Sequence, residues 1–337
     1  MIISRTPFRI SFFGGGTDYP GWYRKNGGRV LATTINRYCY INARFMPPFF
    51  GYKYRIVYNS KIENCKTIDE ILHPSVRESI RFLKINLGLD VHYNGDLPGR
   101  SGLGSSSAFT VGLLHAFYAL QGKMVSKYKL VKDSIYLEQE ILKETVGSQD
   151  QVSVSYGGFN IITFHKDGEI TLKPITISPN RLEELQNHLM LFYTGIERTA
   201  SDIARSYVNN IEDRQKELER MQDFVSEALE LLSSEKDIKY FGELLNKAWQ
   251  IKRSFSSVVS NSRIDSLYKK ALSAGALGGK LLGAGGGGFI LLFVSPSYQL
   301  EMIKQLKNLI HVPFKFENEG SKIIFYDNQD DYSTVKQ

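Results

Sequence analysis

The stretch Asp96-Leu97-Pro98-Gly99-Arg100-Ser101-Gly102-Leu103-Gly104-Ser105-Ser106-Ser107-Ala108 constrains this chain more than any other. A loop of glycine and serine runs straight into Ala108–Gln121, which is apolar nearly all round and is expected to be a buried helix ending at Gly122. Glycines let backbone amides approach an anion closely, and a helix start adds unpaired N–H groups and the positive end of a dipole. The serine hydroxyls add donors, or hard ligands for Mg²⁺. A serine-capped helix after a glycine turn has the same composition, so the loop alone leaves phosphate binding and plain capping open. Two common phosphate loops do not fit. The P-loop ends in Gly-Lys-Ser/Thr, and no lysine follows Gly104. The dinucleotide fingerprint is GxGxxG with an acid about twenty residues further on, whereas this loop reads GxxGxG and Lys123–Ser126 holds no acid.

The chain has 337 residues, enough for two ordinary domains or one large one, and 42% are apolar, enough for a real core. No stretch approaches the run of about twenty apolar residues that a membrane span needs. Met1-Ile2-Ile3-Ser4-Arg5 lacks the charged start and apolar block of a signal peptide. Cys39 and Cys65 are too few for a disulfide framework and have no metal-ligand spacing. A protein of the cytoplasm is expected, with no membrane partner. The net charge of +7 is scattered, without basic runs or a basic-aromatic pattern, which speaks against nucleic acid and leaves anionic small substrates open.

Ile2–Arg5, Arg9–Phe13, Tyr38–Phe45, Tyr54–Tyr58 and His92–Gly95 read as strands, and Ser75–Leu87 as a helix between Pro74 and Gly88. Lys127–Val146 reads as an amphipathic helix stopped by Gly147. Phe159–Phe164 and Ile170–Pro174 form a hairpin about Lys166-Asp167-Gly168. The second half is expected to be helical over Ser201–Ser233, Asp237–Lys252, Ile264–Ala274 and Ser297–Leu309. Strands are expected at Lys280–Leu282, Phe289–Val294 and Lys322–Tyr326. This order points to α+β domains, divided near residue 180 into 1–180 and 181–337.

Two carboxylates stand out. Glu138 falls on the apolar stripe of Val131, Ser134, Ile135, Ile141 and Leu142, whereas Glu140 sits opposite with Asp133, Lys143 and Glu144 on an expected solvated face. A carboxylate on an apolar stripe needs a metal or a hydrogen-bond network. Asp150, in Gly147-Ser148-Gln149-Asp150-Gln151, is either a cleft-facing loop carboxylate or a turn residue.

Further glycine-rich segments are Gly278-Gly279-Lys280-Leu281-Leu282-Gly283-Ala284-Gly285-Gly286-Gly287-Gly288-Phe289 and Thr6-Pro7-Phe8-Arg9-Ile10-Ser11-Phe12-Phe13-Gly14-Gly15-Gly16-Thr17-Asp18-Tyr19-Pro20. Together with the central loop they resemble the three motifs of the GHMP kinases, in order and at family spacing. The resemblance implies a two-domain fold, with an N-terminal ribosomal-protein-S5-like α/β domain and a C-terminal ferredoxin-like α+β domain. It implies ATP as substrate, held by Pro98, Gly99, Gly102, Leu103, Gly104, Ser105, Ser106 and Ser107, and Mg²⁺ on Ser106 and Glu138. It makes Asp150 the base, kept ionised by Arg9, and gives acceptor contacts to Gly15, Gly16, Thr17 and Asp18, with Gly285 and Gly286 in the closing loop. Galactokinases read Gly-Glu-His-Thr-Asp where this chain reads Gly14–Asp18, which argues against galactose.

The Gly-Gly-Gly-Thr-Asp-Tyr-Pro string, Gln-Asp-Gln, and Ala248-Trp249-Gln250-Ile251-Lys252-Arg253 are similar to the subgroup acting on D-glycero-D-manno-heptose 7-phosphate. That subgroup phosphorylates the anomeric hydroxyl on the way to GDP-heptose for surface polysaccharide. A sugar phosphate needs cations, and Arg198, Lys252, Arg253 and Lys280 are the candidates. Another sugar-1-kinase, fucokinase-like or acting on free hexose, and a non-catalytic sugar- and ATP-binding regulator remain alternatives. A monomer or homodimer is expected.

Overall fold

The computed structural model describes residues 1–196, 200–208 and 211–327. Its spine is β1 (Ile2–Phe13) paired antiparallel with β2 (Gly28–Phe45). β1 fuses the two expected strands. Its register shifts between Pro7 and Phe8, where a missing N–H is tolerated, and again between Ser11 and Phe13. The first half of β2 eluded sequence reading because Val30 to Ile35 are buried on both faces and show no alternation.

Among the described residues a nine-stranded sheet runs β13-β1-β2-β5-β3-β4, with β6 and β12 also on β2 and β7 on β6. The further strands are β3 (Tyr54–Tyr58), β4 (Lys61–Cys65), β5 (Leu89–Gly95), β6 (Phe159–Phe164), β7 (Ile170–Pro174), β12 (Phe316–Glu317) and β13 (Lys322–Tyr326). A four-stranded sheet has the order β11 (Ile310–His311), β8 (Leu189–Tyr193), β10 (Phe289–Val294), β9 (Ala276–Leu281). The helices are α1 (Pro20–Asn26), α2 (Pro74–Phe82), α3 (Ser105–Leu120), α4 (Lys127–Tyr136), α5 (Gln149–Tyr156), α6 (Pro179–Asn187), α7 (Ala200–Val208), α8 (Gln215–Leu232), α9 (Lys239–Ser254), α10 (Ser262–Ser273) and α11 (Gln299–Gln305). None of the described helices is long and apolar enough to cross a membrane.

Several expected helices are shorter. α2 ends at Phe82, and Lys84 takes a left-handed φ of 53°. α4 gives way to a wide π-helical turn, Leu137–Ile141, and never reaches Val146. Ser201–Ser233 is broken, with a 3₁₀ turn at Ile211–Arg214 ahead of α8. Ser297–Leu309 yields only α11 behind a 3₁₀ turn at Pro296–Tyr298.

The aromatic rings of β1 tie the large sheet to the C-terminal helices. Phe13 meets Phe241 of α9 at 5.2 Å and Phe12 meets the same ring at 5.5 Å. The chain end also returns. β12 and β13 lie in the large sheet, although the expected division at residue 180 assigns them to the second domain.

Candidate active site

α3 begins at Ser105, three residues earlier than expected, because Gly104 adopts a left-handed φ of 71° that turns the loop into the helix. Ser105, Ser106 and Ser107 therefore form its first turn, where backbone N–H groups lack intrahelical acceptors. The three hydroxyls divide their tasks. Ser105 Oγ accepts from the backbone N–H of Arg100 at 3.0 Å and braces the loop. Ser107 Oγ donates to Glu138 Oε2 at 2.9 Å. Ser106 is exposed at the helix start.

Glu138 is buried in the π-helical turn at 1% exposure, as its stripe position predicted. Oε2 also accepts from the Gln151 side-chain amide, whereas Oε1 is buried with no hydrogen-bond partner. Burial pushes the carboxyl up to about 7; Glu144 adds to the rise, and Thr110, Ser107 and Gln151 oppose it. The opposite face is not uniformly solvated. Glu140 is exposed and pairs with Lys143 at 3.1 Å, but Asp133 is buried, accepting from Tyr118 and facing Lys129 at 3.0 Å.

Asp150 lies in the first turn of α5 rather than in a loop. Its carboxylate meets Arg9 in a two-pronged fork, Nε to Oδ1 and Nη2 to Oδ2, both 2.7 Å. The third nitrogen, Nη1, donates to Gly102 O at 2.8 Å, so one guanidinium at 3% exposure fixes both the carboxylate and the glycine loop. Gly104 is needed here: a Cβ would lie 3.1 Å from Arg9 Cγ and 3.4 Å from Asp150 Oδ2.

Asp18 is buried beside this fork. Oδ1 accepts from Gly16 N at 3.0 Å, and Oδ2 from Gln149 Nε2 at 2.9 Å. Burial raises its pKa, and the Asp150 charge raises it further. Thr17 does not face an open cleft. Its hydroxyl donates to Gly14 O at 2.8 Å and accepts from Arg29 N at 3.1 Å, closing the turn. Gly15 is roomier, with Ser11 Oγ 3.8 Å and Gln149 Nε2 4.0 Å from a built Cβ, while Gly16, at φ 106°, packs against Leu218 and Phe255. Gln149 and Gln151 were missed as individual residues. Their one sequence signal was the Gln-Asp-Gln string itself.

The closing loop and the phosphate loop touch through backbone. Ser101 O accepts from Phe289 N at 3.1 Å, and any Cβ on Gly102 would overlap Leu282 O. Gly285 leaves no room for a Cβ against Val259, and the Gly286 amide donates to Val259 O at 2.8 Å rather than to an open cleft. Gly99 has open space around it. Of the basic candidates, Lys252 bonds Gly283 O, and Arg253 pairs with Asp265 at 2.7 Å. Lys280 is not exposed to a ligand cleft as expected. It is 2% exposed and donates to Ser11 O and Phe12 O at 2.9 and 2.8 Å. Arg198 lies outside the described residues. A cavity of about 580 Å³ lined by Lys270, Gly275, Tyr298 and Glu301 holds none of these groups, so chemistry rather than volume identifies the site.

The arrangement offers N–H groups for an anion, a cation-held carboxylate, and a second buried carboxylate alongside. Comparison with known proteins agrees. The family description "GHMP kinases N terminal domain" matches residues 73–158, and "GHMP kinases C terminal" matches 225–311. The chain is 32% identical to a D-glycero-alpha-D-manno-heptose 7-phosphate kinase of Campylobacter jejuni, over 95% of this chain and 98% of that one. Among solved structures, a D-glycero-D-manno-heptose 1-phosphate kinase of Bacteroides thetaiotaomicron aligns with TM-score 0.72 at 22% identity, covering 95% of this chain and 98% of that one. Lactococcus lactis galactokinase complexed with galactose aligns at 0.70 and 18% identity, covering 95% and 94%. The last two show a shared two-domain fold.

Proposed function

The chain belongs to the GHMP kinase family, and we propose that it transfers the γ-phosphoryl group of ATP to the anomeric hydroxyl of D-glycero-D-manno-heptose 7-phosphate, in the cytoplasm. As a family member it uses ATP as phosphoryl donor. The observation that carries the chemistry is the Arg9–Asp150 fork bonded to the phosphate loop through Gly102. The heptose 7-phosphate assignment draws its support from the 32% identical relative.

The amides of Gly102–Ser107 receive the ATP phosphates at the start of α3. Mg²⁺ fits the donor set, because Glu138 Oε1 is a buried acceptor with no donor and Ser106 is exposed one helical position from the serine that bonds Glu138. Bound there, Mg²⁺ neutralises phosphate charge as it builds in the transition state. Asp150 takes the proton of the anomeric hydroxyl, whose oxygen then forms the new P–O bond as ADP leaves. Arg9 orients Asp150 through the two-pronged fork. Asp18, fixed by Gly16 and Gln149, accepts from sugar hydroxyls. Lys252, Arg253 and Arg198 receive the 7-phosphate, which requires Arg253 to exchange Asp265 for phosphate. The internal engagement of Lys252, Arg253 and Lys280 favours a second reading, a kinase for an unphosphorylated sugar.

A coupled ADP-release assay decides between them. Heptose 7-phosphate is expected to be turned over with far higher kcat/KM than free heptose, fucose or galactose; turnover of a free sugar alone overturns the assignment. Asp150→Asn is expected to lower kcat by about 10²- to 10⁴-fold, with sugar and ATP binding near wild type by calorimetry. A folded Asp150→Asn enzyme with wild-type kcat removes the base role.

A further inference from the structure

Lys280 has no role in the chemistry above, yet its ammonium is buried where water cannot reach it. It projects from β9, the edge strand of the smaller sheet, opposite Leu291 of β10. Both its acceptors belong to β1 of the larger sheet, at the place where the β1–β2 register skips from Ser11 to Phe13. Such an irregularity leaves backbone groups out of the ladder, and a buried carbonyl without a donor is costly. A three-donor side chain reaching across from the other sheet supplies what the ladder lacks.

The location is more telling than the bonds. The skipped register sits two residues beyond Arg9 and immediately before the Gly14–Asp18 turn. On the Lys280 side, the strand runs directly into Leu282 and Gly283, which back the phosphate loop at Gly102 and receive Lys252. One side chain therefore joins the strand that carries the acceptor turn to the strand that carries the closing loop. A tie meant only to stabilise the core has a cheaper form, because an apolar residue would avoid stripping an ammonium of water. Burial, and then the charges of Lys252 and Arg9, drive the Lys280 pKa well down, so this position works against a cation.

We propose that Lys280 is a positioning residue, a latch between the two sheets that sets the Gly14–Asp18 turn and the Arg9–Asp150 fork against the closing loop. Its effect on catalysis rests on the kinase reading above; its effect on local structure does not. It acts through the Ser11 and Phe12 carbonyls and touches neither substrate.

The test uses the full chain with Lys280→Met, which is unbranched, only one heavy atom shorter, and loses the donors. kcat/KM for the sugar substrate is expected to fall about 100-fold, as for a misplacement of about 1 Å, while KM for ATP stays close to wild type. Lys280→Arg, which keeps N–H donors, is expected to recover most of the loss. In hydrogen–deuterium exchange, residues 11–18 should lose protection in Lys280→Met while β10 keeps its own. Wild-type sugar kinetics, or a loss spread evenly over sugar, ATP and all peptides, overturns the latch. Should Lys280→Met not fold, Lys280→Ala, which also removes the donors and leaves room for water at the two carbonyls, is measured with the same outcomes. If the wild-type enzyme turns over no sugar, the kinase reading falls, and the exchange pattern alone decides the latch.

Discussion

A carboxyl buried as deeply as Glu138 and bonded through only one of its oxygens costs the fold stability unless another partner uses it. Its pKa stands at about 7 in the folded protein, above the ordinary 4.5 of the unfolded chain. Between those values the folded state holds more protons than the unfolded one. The favourable contribution is thus complete below about pH 4.5 and is lost as pH rises through about 7. Glu138→Gln keeps the shape and cannot ionise. Its melting temperature relative to wild type is expected to climb as pH goes from 5 to 8, although kinase activity is lost. Mg²⁺ should raise the wild-type melting temperature near pH 8 and leave that of Glu138→Gln unchanged. A difference that is flat with pH would mean that Glu138 is not a strained acid.

At the level of loops and helices, close backbone approach separates glycines that look alike in the sequence. Gly288 (φ 91°) has no room for a Cβ against Ser101 O, whereas Gly122 (φ 67°) has nothing within 4 Å. Gly122→Ala is expected to cost about 1 kcal/mol, the backbone strain alone. Gly288→Ala adds a clash between the closing and phosphate loops, so about 3 kcal/mol or more is expected, with a raised KM for ATP. Urea denaturation of the two variants checks the contrast, and equal costs would argue against the interlock. The glycine loops were legible in the sequence because glycine registers a local backbone demand that no other residue meets. Glu138 was legible because a helical stripe extends only a turn or two. Gln149 was not, since its partner Asp18 lies 131 residues away and only the tertiary fold joins them. α5 was hidden for a related reason: Gln149 and Gln151 to Ser155 are buried polar and apolar residues alike, so no apolar face is distinguished. The overlong reading of α4 continued a pattern through Leu137–Ile141, where the backbone widens into a π turn that sets Glu138 against Ser107.

The molecule as a whole is not two units joined end to end, because its last strands complete the first sheet. Ser321 is fully buried between β1, α3 and α5. Its hydroxyl lies 2.9 Å from both Thr6 Oγ1 and His115 Nδ1, its amide donates to Val154 O at 2.8 Å, and Lys127 bonds its carbonyl. Burial holds the His115 imidazole down at about 4, so it stays neutral at physiological pH and binds the hydroxyl without adding a buried charge. β13 covers β1, and β12 pairs with β2 at Thr34 and Ile35. A chain cut at residue 315 would leave Thr6, His115 and Lys127 facing a void and expose the edge of β1. Residues 1–180 alone are therefore expected to show no cooperative unfolding transition by circular dichroism, although they contain the phosphate loop, Arg9 and Asp150. Co-expression with residues 181–337 should restore both the transition and ATP binding, since the second piece returns β12, β13 and Ser321 to their places. If residues 1–180 fold cooperatively on their own, the C-terminal strands are a covering rather than part of the fold.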